Sequence, residues 1–230
     1  MILDQEIAPG TRVAIDVLAA RLTVSPTPVR EALARLEGDG LVVREANGRL
    51  YAAALLELAA FEQLYEIRLL LEPAAAELAA AEHTPAELIA LRASLAAMNP
   101  QAAKGSPANY VAFVGADAAF HETIAEISRN RFLFEAVHHL HSHHRLAFLY
   151  RDHGVTDWRI ARREHETIVA AIGKRDPEGA RETMRGHICR SREVLRCRFS
   201  DTASPVTVAV SQGRHATRGH HRTVMDQSES

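Results

Sequence analysis

Asp117 and His121, in "DAAFH", stand four residues apart. On a helix that spacing projects both side chains from one face. His165 and His187 flank the break "GKRDP", eight residues before Gly173 and ten after Pro177. At ~1.5 Å per residue they stand roughly 12 and 15 Å from the turn, so a helical hairpin brings them to a similar level. One carboxylate and three imidazoles converging inside a bundle make an N/O ligand set for a borderline divalent cation, with zinc, nickel and manganese all admissible. Taken singly, each histidine is more readily a satisfied core or surface residue. The matched depth of the four is what points to a metal.

Arg68 and Glu72 offer a second chemistry. They fall on a stripe with Phe61, Leu64, Tyr65, Leu71 and Ala75, so both are expected to turn at least partly inward. The plain reading is an internal ion pair. The sharper one is a guanidinium placed to take a small carboxylate bidentately. "HHLHSHH" (138–144) resembles a metal tract, yet helical geometry spreads its five histidines around the circumference. Only His144 continues the stripe Leu133, Val137, Leu140 and Phe148. His138, His139, His141 and His143 are expected to be solvated or interfacial. Arg68, Glu72, His144 and Arg145 are the candidate effector contacts.

These residues need a scaffold, and the pattern supplies one. Candidate helices run over about 57–82, 85–98, 108–128, 131–151, 157–173 and 177–198, a bundle of six broken at "HTP", "NPQAAKGSP", "SRN", "DHGVTD" and "KRDP". Upstream, an amphipathic piece ends at Gly10 and a helix is predicted over about 14–22. The stretch "VSPTPVREALARLEGDGLV" then reads as a second helix. Ser25 suits its N-cap, Pro26 suits N1, and Val29, Ala32, Leu33 and Leu36 keep the 3.6 period. "LVVREANGRLYAAAL" reads as two strands around Asn47-Gly48. Helix, turn, helix and hairpin make a winged helix-turn-helix. The prolines fix a sharp start that leaves Ser25, Thr27 and Arg30 pointing outward, as a DNA-reading helix requires. Asn47, Gly48 and Arg49 form the tip of the wing. The fold class is therefore mainly α, with a winged helix over 1–55, a helical bundle over 56–199 and a flexible Ser/Thr/Gly-rich tail over 200–230.

Net charge is −2, and the first 50 residues hold seven acidic and six basic side chains, so charge alone would not suggest nucleic acid. No run approaches the ~18 apolar residues of a membrane span. The first 20 residues lack a basic start followed by an apolar core, so no signal peptide is expected. Cys189 and Cys197, eight apart on one helix, read as reduced thiols of a cytoplasmic protein.

The sequence resembles the GntR family of bacterial transcription regulators. "PGTRV…LAARLTVSPTPVREALARLEGDGLV" is similar to their winged-helix domain. "LYEIRLLLE", "DAAFHETIAEISRN", "EHETIVAAI" and "DPEGARETMRGHI" resemble the FadR-type C-terminal domain called FCD. The resemblance spans about residues 2–198. It implies a homodimer on a palindromic operator, controlled by an effector in the helical domain. It further implies that Asp117, His121, His165 and His187 hold a divalent ion whose shell a small organic acid completes. The pattern departs where family members carry "SRTPVRE": Pro26 stands in place of Arg, which removes a charged DNA contact. The start "MILDQEIAPGT" also leaves the family's first helix about two turns shorter. Two alternatives stand beside a metabolite-responsive regulator: a metal-dependent hydrolase, since three His and one Asp leave room for water, and a sensor whose signal is the ion itself.

Overall fold

The computed structural model describes residues 1–2, 6–98, 107–151 and 158–201. Its N-terminal part holds β1 (Arg12–Val13), α1 (Ile15–Leu22), α2 (Pro26–Gly38), β2 (Val42–Arg44) and β3 (Leu50–Ala52). The strands form one antiparallel sheet in the order β1-β3-β2, with Val13 opposite Leu50 and Val43 opposite Tyr51. Val29 and Leu33 of α2 bury against Val13, Leu41, Val42 and Leu50, and this is the winged-helix core. Pro26 and Pro28 open α2 without loss, because the first amides of a helix have no internal acceptor. Gly40, at φ +71°, takes the left-handed conformation that ends the helix. A forked ion pair from Arg44 to Glu37, at 3.0 and 2.7 Å, ties the wing to the end of α2.

The rest is helical: α3 (Leu58–Glu82), α4 (Pro85–Ala97), α5 (Pro107–Ile127), α6 (Arg131–Arg151), α7 (Trp158–Gly173) and α8 (Pro177–Asp201). The helix ends are set by local chemistry. Thr84 and Glu87 close a capping box at α4. Asn130 Oδ1 accepts from Leu133 N at α6, and Asp176 Oδ1 accepts from Gly179 N at α8. Arg175, at φ +54°, makes the tight reversal between α7 and α8. The bundle core gathers Phe61, Tyr65, Leu91, Phe120, Ile124, Ile168, Ile172, Met184 and Ile188.

Several expectations change. The described residues of the piece ending at Gly10 are turns leading into β1, a strand the sequence reading did not contain. Ser25 occupies the N-cap position of α2, but its side chain makes no capping hydrogen bond. Helix α8 continues to Asp201. The tail proper, 202–230, lies outside the described residues, as do the breaks within 99–106 and 152–157. Both cysteines are free and exposed, and among the described residues no helix is long and apolar enough to cross a membrane.

Candidate metal centre

Asp117 and His121 share a face of α5, His165 comes from α7 and His187 from α8. One ligand atom from each of the four lies within 4.8 Å of every other. The three histidines are buried and Asp117 is partly exposed. The two ring Nε2 atoms of His165 and His187 are 3.1 Å apart, and His165 Nε2 is 3.5 Å from Asp117 Oδ1. Two ligands at ~2.0–2.1 Å from one tetrahedral ion would stand about 3.3 Å apart, so these separations suit donors sharing a cation. His121 Nε2 is buried with no hydrogen-bond partner among the described residues. An orphaned buried nitrogen costs roughly 1–3 kcal/mol, and an ion would satisfy it. The donor set fits a divalent metal.

Of the opposite ring nitrogens, that of His187 has the carboxylate partner typical of a metal-binding histidine. His187 Nδ1 is 2.8 Å from Glu164 Oε2, and Arg190 in turn bonds Glu164. His121 Nδ1 stands 2.6 Å from Glu72 Oε2. His165 Nδ1 meets Met98 Sδ at 3.2 Å. Burial pushes the pKa of His165 well below its usual value, with the neighbouring His187 and His121 adding to it. His187 is lowered by burial too, against the opposing pull of Glu164. Neutral imidazole is the ligating form. A cavity of about 20 Å³, room for about one water-sized group, adjoins Asp117 and His187 and is also lined by Arg190 and Ser191.

Beside this centre lies a second buried polar group. Arg68 and Glu72 are fully buried, with Nε to Oε1 at 2.5 Å. Burial would raise the carboxyl of Glu72, but Arg68, His141 and His121 outweigh it and hold the pKa well below the usual range. Arg68 Nη1 has no hydrogen-bond partner among the described residues, so the guanidinium is not saturated by its ion pair. Its carbon lies 4.9 Å from the Tyr65 ring centre. Tyr65 Oη meets His144 Nε2 at 2.9 Å and Ser191 Oγ at 2.8 Å, and burial pushes its pKa up to about 12.

His141 corrects the sequence reading. It is fully buried, stacked 4.8 Å from His121, with Nε2 3.2 Å from Glu72 Oε1. Burial takes its pKa down to about 4, against the opposing pull of Glu72. Glu72, His121 and His141 could themselves be read as a metal cluster. Arg68, bonded to the same carboxylate, already supplies the positive charge there. Arg145, about 100° further round α6 from His144, lines an apolar groove of about 650 Å³ under α1 and α2.

On the winged helix, Ser25, Thr27 and Arg30 are all exposed along the start of α2, and Pro26 is half-buried. At the wing, Gly48, at φ +78°, donates to Glu45 O at 2.8 Å, and Asn47 Oδ1 accepts from Arg49 N at 2.8 Å. Asn47, Gly48 and Arg49 form an exposed tip.

Residues 1–57 match the model for bacterial regulatory proteins of the gntR family, and residues 63–190 match the FCD domain. The chain belongs to the GntR family, as a regulator with an FCD domain. Its relatives include the HTH-type transcriptional regulator LutR of Bacillus subtilis (strain 168). LutR is 30% identical over 223 residues, covering 87% of this chain and 99% of LutR. The Nta operon transcriptional regulator of Aminobacter aminovorans is 31% identical, covering 72% and 74% of the two chains. Among solved structures, E. coli McbR/YncC superposes with a TM-score of 0.73 at 22% identity, covering 86% and 92%, a likeness of fold. This GntR chain is thus a transcription regulator with a DNA-binding helix-turn-helix and an effector-binding domain. The family and relatives are regulators rather than enzymes, which sets aside the hydrolase alternative.

Glu164, the carboxylate behind His187, escaped the sequence reading of this regulator. It precedes His165 by one residue, about 100° around α7, so the helical spacing that pairs ligands gives no sign of it.

Proposed function

We propose that this regulator binds a palindromic operator as a homodimer, in the cytoplasm, and holds a divalent ion on Asp117, His121, His165 and His187. A small organic acid joining that centre alters its grip on DNA. The observation that carries the reading is the convergence of four ligand atoms within 4.8 Å around an orphaned His121 nitrogen. When bound, the ion supplies a Lewis-acidic centre to which a carboxylate can add. Arg68, through Nη1, and His144 take the acid's remaining oxygens, and Glu72 and Glu164 orient the ligand rings. Thr27 and Arg30 reach base edges, with Ser25, Asn47, Gly48 and Arg49 on the backbone. Residues 1–55 are assigned to DNA binding and 56–199 to sensing.

The test uses DNA enriched from a random pool by the zinc-loaded protein, with affinity followed by fluorescence anisotropy. A panel of small mono-, di- and tricarboxylates should include one that shifts affinity about tenfold, within the usual range of allosteric coupling. The reading fails if no acid shifts it. A shift on chelation alone, indifferent to every acid, would favour the ion as signal.

A further inference from the structure

Helix α6 carries two rows of side chains on roughly opposite faces, since about 100° per residue separates 137, 141 and 144 from 139, 143 and 146. The first row faces the bundle, where His141 stacks on His121 and His144 meets Tyr65. The second faces the winged helix. Leu146, 3% exposed, is part of the core formed by Val29, Leu33 and Leu41. His143 packs its ring edge on Gly40 so closely that a Cβ there would stand 2.7 Å from Nε2. His139 Nδ1 is 3.8 Å from Asp39 Oδ1. Asp39 and Gly40 are the residues at which α2 stops. Within residues 139–146, one helix therefore touches both a candidate ligand ring and the end of the DNA-facing helix.

We propose that this stretch of α6 is the joint through which occupancy of the metal centre sets the position of α2. The proposal deepens the metal reading and rests on it. An ion held on His121 fixes the ring against which His141 stacks. A rigid helix carries any displacement of His141 to His143 and Leu146, because close-packed contacts transmit shifts rather than absorb them. His143 is the positioning residue, since it fills the space that Gly40 leaves free.

Amide hydrogen exchange on the full chain, zinc-loaded against chelator-stripped, tests this without knowledge of the operator. In the wild type, zinc should slow exchange around the ligands in α5, α7 and α8, and change exchange over residues 26–44 by about threefold or more. In His143→Ala the response in α5, α7 and α8 should persist, which also shows that the variant is folded, while the change over 26–44 disappears. His143→Asn, which keeps polarity but not the ring, should behave the same way and serves if the alanine variant is poorly folded. A wild-type response confined to the bundle, or one over 26–44 that survives in either folded variant, overturns the joint and leaves the metal reading standing. Zinc without effect even on α5, α7 and α8 fails the metal reading, and the joint with it.

Discussion

At the scale of single residues, the proposed centre depends on the groups behind the candidate ligands as much as on those four side chains. Glu164 fixes which nitrogen of His187 carries the proton, through a 2.8 Å contact to Nδ1. Removing such a partner typically lowers metal affinity about 10–100-fold. Glu164→Gln should therefore weaken zinc binding by that factor in competition titrations while the far-ultraviolet circular dichroism stays unchanged; unaltered affinity would show that His187 needs no orienting carboxylate. Glu72→Ala should be costlier, because it leaves the Arg68 guanidinium buried and unpaired. Breaking a buried pair on one side costs about 3–5 kcal/mol, which denaturant titration would read directly. The convergence of the four candidate ligands was legible because helical spacing and hairpin depth are local arithmetic. His141 was not, because an apolar stripe chosen through Leu140 hid it, although it lies one turn beyond Val137. The bundle interior is polar on that side, and polarity alone looks like surface.

At the scale of elements, the helix boundaries were readable wherever caps and prolines mark them. Pro85, Pro177, Thr84 and Asp176 stand where the helices begin. Strand β1 was not readable: two residues carry no period, and its partners Leu50 and Tyr51 are distant in sequence. Ser25 shows the limit of cap preferences, since the right residue in the right position makes no capping bond. Thr84 does make one, with Glu87 N at 3.3 Å and the reciprocal bond from Thr84 N to Glu87 Oε2 at 2.9 Å. Thr84→Ala should cost about 1 kcal/mol, or about 2–4 °C of melting temperature in a chain of this size. A melting curve identical to the wild type would contradict that. On α2, Pro26→Arg should tighten DNA binding, since one good base contact is worth roughly 1–3 kcal/mol and a dimer gains two. If the new Arg reaches phosphate instead, the salt dependence should steepen by about one per contact. Arg30→Ala should abolish specific binding in the same titrations.

For the whole molecule, a single winged helix reads too few base pairs for useful specificity, so the regulator is expected to pair. Light scattering at micromolar concentration should give about twice 25.3 kDa, and a species at 25.3 kDa alone would count against it. One ion is expected to join α5, α7 and α8, and elemental analysis of protein purified without chelator checks this. Close to one divalent ion per chain is expected in the wild type, with loss of that ion in His187→Ala. A wild-type chain that carries no metal and takes none up from added zinc, nickel or manganese would contradict it.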